Sequence, residues 1–329
     1  MEIISATQQS LIRILADGGC HSGEEIGDHL NMSRAAVWKQ LQKLDDFGLE
    51  VISLRGKGYR LSRKIDLLDQ KLVYSALSSG VARNVEALDV LFAVDSTNDH
   101  ALEKSLTLGA SKAYVCFAEY QRKGRGRRGR EWVSPLACNI YCSFAWQFEG
   151  GAAALEGLSL AVGVAVARVV EGLAVGSVTL KWPNDILLDG KKLGGILLEM
   201  TGDPAGRCQV VVGIGLNVGM PEKQEIDQPW IALESLVAGV SRIQLATDVT
   251  GQIVSLLSSY ANDGFAGYKA EWQALDAFLG QRVRVVSGSQ ETIGVACGVA
   301  DNGALLLEVD GVQQSFYGGE LSLRLETGE

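Results

Sequence analysis

The spacing of apolar positions changes along the chain, and each change marks an element. Over residues 8–16, Leu11, Ile12 and Leu15 recur at helical spacing, and Asp17-Gly18-Gly19 ends the run. Ser22-Gly23-Glu24-Glu25 joins a capping residue to acids that suit a helix N-terminus, which predicts a second helix to about Leu30. After the turn Asn31-Met32, Ser33 caps a third helix; Val37, Leu41 and Leu44 share one face, and Arg34, Lys39 and Lys43 take the other. Val51–Leu54 and Tyr59–Leu61 flank a basic, glycine-rich tip, Arg55-Gly56-Lys57-Gly58, and read as a hairpin. Two short helices around a tight turn, followed by a hairpin, predict a winged helix-turn-helix over residues 1–64.

The next stretch alternates buried strands with helices. Val90–Val94 reads as a strand before a helix beginning near His100, and Ala113–Tyr120 as a buried strand. Gly157 to Gly176 is the longest apolar run, but Arg168 and Glu171 break it, which predicts a buried helix and not a membrane span. Val178–Leu180 leads to a hairpin, Ile186–Leu188 and then Lys192–Glu199 beyond Gly190, and Val210–Val218 forms another strand. Residues 245–279 read as helical, with Ile253, Leu256, Leu257 and Tyr260 on one face. From Gly280 the period becomes two: Val283 and Val285; Val295, Cys297 and Val299; Leu305, Leu307 and Val309. Asp301-Asn302-Gly303 and Asp310-Gly311 supply the hairpin turns of a small β-barrel. The expected fold class is multidomain α/β (α+β), with a mixed-sheet central domain over 65–274 and the barrel over 275–329.

Composition changes this picture less than charge does. Of 329 residues 47% are apolar, enough for large cores. The net charge of −9 argues against a nucleic-acid partner until its distribution is examined. Residues 31–64 hold eight basic and three acidic side chains, and residues 121–130 hold six basic and none acidic. The start, Met1-Glu2-Ile3-Ile4, lacks a secretory pattern. Six cysteines without a CxxC and three scattered histidines support neither a disulfide framework nor a metal site; Cys138 and Cys142 read as small core residues. A reduced, cytoplasmic location is the expectation, with no membrane partner.

The first basic knot suits DNA phosphates, the alternative being a winged helix that meets other proteins. Ser33, Arg34, Ala35, Trp38 and Lys39 lie at the third helix, and Arg55, Lys57 and Tyr59 on the wing; Trp38 is either a groove contact or core. In the second knot Gly124, Gly126 and Gly129 spell G-x-G-x-x-G, yet Glu131–Pro135 does not open a helix, so a dinucleotide fingerprint is disfavoured. A guanidinium-rich loop suits clamping ATP or an acyl phosphate made from it, against the alternative of a solvated basic loop. Asp95-Ser96-Thr97-Asn98 at a strand end, Lys181-Trp182-Pro183-Asn184-Asp185, Lys192-Leu193-Gly194-Gly195 and Gly213–Val218 gather with it.

These segments, in this order and over nearly the whole length, resemble the bifunctional biotin–protein ligases that also act as the biotin operon repressor. The resemblance implies two steps: biotin and ATP form biotinyl-5′-AMP, and a lysine of the biotin carboxyl carrier protein of acetyl-CoA carboxylase takes the acyl group. It implies that Ser96, Thr97, Asn98 and Gln121 meet the cyclic urea, and that Arg125, Gly126 and Arg127 meet biotin and the adenylate. Lys192 corresponds to the lysine at the acyl carboxylate, and Gly124, Gly195, Asn217 and Trp230 complete the site. Arg128 and Arg130 assist. Asp185 either positions, or helps deprotonate, the acceptor lysine, or caps a turn; Trp182 packs on adenine or on the sheet; Asp95 and Ser96 cap the next helix, meet ligand, or both. The acidic, proline-bearing stretch Met220–Gln228 falls where the family has a loop over the adenylate. The barrel is SH3-like by resemblance, as a packing cap or as a contributor to ATP and carrier binding. Magnesium accompanies the nucleotide, biotinyl-5′-AMP is also corepressor, and the adenylate-bound chain forms a homodimer on operator DNA. Two alternatives remain: a biotin-responsive repressor without catalysis, and a lipoate ligase on the related fold, against which the Gly124–Arg130 pattern speaks.

Overall fold

The computed structural model describes residues 4–106, 109, 111–221, 226–318 and 321–326. Serines open each of the first three helices. Ser5, Ser22 and Ser33 accept from the backbone N–H three residues on, satisfying a donor that the first turn leaves orphaned. The helices are α1 (Ala6–Leu15), α2 (Gly23–Leu30) and α3 (Arg34–Gln42). Asn31 ends α2 in the left-handed region, and the turn closes over Gly27, where a Cβ would lie 2.6 Å from the Met32 carbonyl oxygen. The wing pairs β1 (Val51–Leu54) with β2 (Gly58–Leu61) antiparallel. Leu11, Ile12, Leu15, Ile26, Val37, Leu41 and Leu61 form its core. That core continues into Phe92, Tyr120 and Leu136 of the next unit, so reading head and central unit share one apolar cluster.

The central unit follows the order α4 (Gln70–Ala76), α5 (Ser79–Ala82), β3 (Val85–Leu91), α6 (Thr97–Ser105), β4 (Ala113–Ala118), β5 (Ile140–Phe148), α7 (Leu158–Glu171), β6 (Val178–Lys181), β7 (Asp185–Leu188), β8 (Lys191–Gly202), β9 (Cys208–Leu216), α8 (Arg242–Asp263) and α9 (Ala266–Ala274). Its seven-stranded sheet runs β3-β4-β5-β9-β8-β7-β6; β3 and β4 are parallel and every other pair antiparallel. Side chains of β4 alternate between two layers: Val115 and Phe117 join the main core with α7 and α8, while Tyr114 and Cys116 pack with Ala101 of α6. One segment, Gly151–Glu171, is long and apolar enough to cross a membrane; here α7 lies buried in the main core. Cys138 and Cys142 are buried and free.

Three expected boundaries shift. β3 ends at Leu91, leaving Val94 in a single bridge to Gln121, and α6 starts at Thr97 instead of near His100. The long C-terminal helix is two helices, broken at Gly264. The expected barrel is, among the described residues, an open antiparallel sheet. It comprises β10 (Arg282–Ser287), β11 (Gln290–Val299), β12 (Leu305–Val309), β13 (Val312–Phe316) and β14 (Leu321–Leu325), in the order β13-β12-β11-β10-β14. Closure is not needed to bury its apolar face, because Val283, Val285, Leu305, Leu307 and Leu323 enter the main core. The period-two reading of β11 also fails in part. A bulge between Ala296 and Val299 leaves Val295 37% exposed and turns Gly294 and Ala296 inward.

Candidate functional site

Parallel pairing of β3 with β4 continues past both strands. Arg122 N–H donates to Val94 O at 2.9 Å and Lys123 N–H to Asp95 O at 2.8 Å, so residues 95–98 and 121–123 lie side by side at the strand ends. There Gln121 does the capping expected of Asp95 or Ser96. Its Oε1 accepts from Thr97 N at 2.9 Å and Thr97 Oγ1 at 3.0 Å, whereas Ser96 makes no capping bond and Asp95 pairs with Arg122 and, at 3.1 Å, Lys123. Asn98, 4% exposed, accepts on Oδ1 from Ser143 Oγ at 2.6 Å and donates from Nδ2 to Glu199 at 2.6 Å. Ser143 Oγ also lies 2.8 Å from Thr97 Oγ1, within the same hydroxyl network. The result is a buried cradle of hydroxyls and amides.

The arginine loop folds back on itself: Trp132 N–H donates to Gly124 O at 2.9 Å and Gly126 N–H to Arg130 O at 2.8 Å. A Cβ on Gly124 would lie 2.5 Å from Trp132 O, so the first glycine serves loop closure, and only a single 3-10 turn, Arg127–Gly129, precedes β5. Arg125 forms a bidentate pair with Asp99 at 2.6 Å and reaches Glu199 at 3.0 Å. Arg127 donates to Asn184 Oδ1 at 3.3 Å and to the Gly318 carbonyl at 2.8 Å, tying the loop to the C-terminal sheet. The Trp132 ring fills the space above β8 and β9: a Cβ on Gly215 would lie 2.3 Å from it and one on Gly195 3.1 Å.

Lys192 Nζ sits 2.7 Å from Asp185 Oδ1 and 5.6 Å from the Trp132 ring centroid, with both charged side chains largely buried. This pairing, and not turn capping, is the contact Asp185 makes. Lys181 faces Asp185 across the hairpin, and burial pushes its ammonium below the usual lysine range. The backbone of Trp230 flanks Lys192 through bonds to Pro229 O at 3.0 Å and from Ile231 N at 3.0 Å. Asn217 donates to Ile231 O at 3.2 Å and backs the same strand. Trp182 is 2% exposed and donates to Gly303 O at 3.1 Å, so it packs against the C-terminal sheet, and it lines the adjoining cavity as well.

A cavity of about 490 Å³ collects these groups. Of the expected site residues, Ser96, Thr97, Asn98, Gln121, Arg125, Gly126, Arg127, Asp185, Lys192 and Gly195 line it, and Gly124, Asn217 and Trp230 do not. Residues 222–225 of the expected covering loop lie outside the described residues; Asp227 and Gln228 reach the cavity rim. Sequence reasoning missed Ser143, Asp99, Glu199 and Trp132. Ser143 carried one signal, a small polar residue among the aromatic and aliphatic side chains of β5.

On the reading head Ser33, Arg34, Ala35, Trp38, Lys39, Arg55 and Lys57 are exposed. Trp38 is 44% exposed, its ring 5.8 Å from that of Tyr59, so it is not core. Tyr59 is the exception. It is 9% exposed, and its backbone exchanges bonds with His21 at 2.8 and 2.9 Å, so it braces the wing and presents little surface. Asp17 and Glu25 beside His21 raise that imidazole above its usual range.

Family comparison places these parts in three matched segments. A helix-turn-helix domain model matches residues 7–60, the biotin/lipoate A/B protein ligase family model residues 91–217, and a biotin protein ligase C-terminal domain model residues 278–324. The bifunctional ligase/repressor BirA of Salmonella typhimurium is 43% identical over 317 residues, 96% of this chain and 97% of that protein. The protein of the same description from Escherichia coli K12 is 41% identical over 316 residues, 95% and 96% of the two chains. Among solved structures, the biotin protein ligase from Aquifex aeolicus in complex with biotin and ATP superposes with a TM-score of 0.63 at 29% identity, covering 73% of this chain and all of that one.

Proposed function

The chain belongs to the biotin protein ligase family, among its bifunctional ligase/repressors, and from that premise we propose how its residues divide the work. It is an ATP-dependent ligase that joins biotin to protein, and its helix-turn-helix makes it a DNA-binding repressor. A carboxylate oxygen of biotin attacks the α-phosphorus of ATP, pyrophosphate leaves, and the acyl carbon of biotinyl-5′-AMP becomes electrophilic. A lysine amine of the carrier protein then attacks that carbon and AMP departs.

The observation that carries the assignment of roles is the Lys192–Asp185 pair at 2.7 Å, lining one cavity with the amides and hydroxyls of the cradle and with the arginine loop. Thr97, Asn98 and Gln121, with Ser143 bonded behind them, offer donors and acceptors to the cyclic urea, where each orphaned group would cost about 1–3 kcal/mol. Lys192 and the loop arginines offset the repulsion of two anions and stabilise charge growing on the transferred phosphoryl group. To reach that phosphate, Arg125 exchanges Asp99 and Glu199 for it. Asp185 accepts hydrogen bonds from, and orients, the incoming amine. Magnesium enters as part of the nucleotide substrate. We divide the chain at 64/65 and 274/275, read the C-terminal sheet as an SH3-like module bracing the arginine loop, and place the protein in the cytoplasm. With adenylate bound, two chains pair so that two winged helices address a two-fold operator.

The test is incubation with biotin, ATP, magnesium and carrier protein, scored as pyrophosphate release and mass gain on the carrier. Lys192→Ala is expected to lower adenylate formation by ~10²–10³-fold, and Asp185→Asn to spare adenylate formation while lowering transfer. Normal adenylation by Lys192→Ala sinks the role given to that lysine. Binding without pyrophosphate release in the unaltered protein leaves a ligand-responsive repressor, and lipoate used in preference to biotin moves the substrate.

A further inference from the structure

Asp185 and Lys192 are reached from two sides. A second cavity, of about 450 Å³, shares Lys181, Asp185, Lys192, Gln228 and Pro229 with the first, and none of Thr97, Asn98 and Gln121 lines it. One wall is the β6–β7 hairpin, through Thr179 and Leu187; the other is the approach to β10, through Phe278 and Gln281, together with Leu325 at the end of β14. The two cavities differ in chemistry. Arg125, Arg127, Arg128, Arg130 and Arg324 line the first, and no arginine lines the second. The cations of the second are Lys181 and Lys192, both shared with the first, so a phosphate chain finds most of its counter-charges in the first. The second offers aliphatic and aromatic walls that suit a chain of methylenes.

We propose that this second cavity is the entrance for the acceptor lysine of the protein substrate, which threads between the β6–β7 hairpin and the C-terminal sheet to meet the adenylate at Asp185. The inference rests on the ligase reading above and adds the route of the second substrate. Two reactants cannot share one volume: with the acyl-adenylate held between the cradle and Lys192, a nucleophile needs its own approach to the acyl carbon. The junction also selects the reactive form of the amine. Two lysines and one carboxylate meet there, so a third ammonium is disfavoured, and the burial that already lowers Lys181 acts on a neighbouring amine in the same sense. The entering nitrogen forms the C–N bond, the acyl C–O bond to phosphate breaks with its electron pair leaving on AMP, and the amine proton passes to Asp185 and then to water. The cavity is large enough for a lysyl side chain together with part of its flanking backbone, which makes the walls a contact surface for the carrier as well.

Gln281→Trp and Leu325→Trp narrow the passage from exposed positions that the catalytic assignment does not use. Three rates are read on each variant: biotin-dependent pyrophosphate release, acyl transfer to hydroxylamine, and transfer to the carrier protein, with thermal melting to confirm folding. The expected result is unchanged adenylation and unchanged hydroxamate formation, with carrier kcat/KM at least tenfold lower in one or both variants. Carrier transfer at the original rate in both folded variants overturns the proposal. So does an equal fall in adenylation and transfer, because the cavity then serves the nucleotide or departing pyrophosphate. Absence of pyrophosphate release from the unaltered protein refutes the ligase reading instead, so the two failures are distinguishable.

Discussion

Gly213→Ala tests the cradle at its tightest point. A Cβ at position 213 would lie 2.2 Å from Asn98 Oδ1 and 2.9 Å from its Nδ2, and β9 is paired on both sides, so the asparagine must yield. Restoring van der Waals contact moves the amide by ~1 Å. That lengthens the 2.6 Å bonds to Ser143 and Glu199 beyond hydrogen-bonding range. One is neutral and one charge-assisted, and the partners left behind are buried, so the loss is about 2–4 kcal/mol. Urea unfolding followed by tryptophan fluorescence reads that stability change, and calorimetry with biotin reads the cradle, where affinity should fall at least tenfold. The double variant Gly213→Ala/Asn98→Ala removes the clash. It should recover stability relative to the sum of the single changes while leaving biotin binding weak, the non-additivity expected of residues in contact. Biotin affinity and unfolding midpoint both unchanged in Gly213→Ala would refute the account of Asn98 as a fixed member of the site.

Other outcomes follow from the same geometry. Burial pushes the Asp276 carboxyl up to about 6, with Oδ1 accepting from Phe278 N–H at 3.0 Å. Because the fold favours its neutral form, its contribution is complete below the unfolded pKa of about 3.9 and is lost as pH rises through about 6. Asp276→Asn should remove a pH-dependent loss on the order of 3 kcal/mol, and unfolding midpoints across pH 4–7 with the same slope in both proteins would contradict this. Arg242→Met strands the Glu119 carboxylate, paired at 2.8 Å with both side chains at 3% exposure or less, and should cost about 3–5 kcal/mol in urea unfolding; an unchanged midpoint rejects it. Lys57→Ala on the exposed wing tip should weaken duplex DNA binding and reduce the log–log salt slope by about 1, measured by fluorescence anisotropy; a slope equal to that of the unaltered protein removes Lys57 from the phosphate contacts.

Local rules made much of the fold legible. Serine caps and helical spacing gave the reading head, because each cap is decided within three residues. The site motifs were legible as a set in order, and ten of the expected residues do line one cavity. What escaped depends on partners far along the chain. Arg125 pairs with Asp99 and Glu199, 26 and 74 positions away, and no spacing rule connects them. The glycines of β9 belong to one of the site motifs, but nothing local names what approaches them, which is the Asn98 amide at Gly213 and the Trp132 ring at Gly215. Tyr59 looked like a groove contact because the wing tip is basic, yet its neighbour Gly58 brings the backbone so near His21 that a Cβ would lie 2.1 Å from the carbonyl oxygen, and the ring is buried. In β11 a bulge reset the phase of an otherwise sound alternation.

The arginine loop is held at both ends by the reading head. Tyr120, the residue before Gln121, packs edge-on against Phe47 with ring centroids 6.2 Å apart, and Leu136 and Ala137 at the far end enter the same cluster. Between those anchors the loop carries Arg125 on Asp99 and Glu199, Arg127 on the C-terminal sheet, and Trp132 over Gly195 and Gly215. An adenylate that draws Arg125 off its carboxylates therefore pulls on a segment whose ends are part of the winged-helix core. Such a contact transmits a bias only where the element has two arrangements. Arg125 pairs with carboxylates in the structure; with the phosphate role proposed for it above, an exchange between partners of like chemistry is the physical basis for one loop to serve both the ligase site and the DNA-reading head.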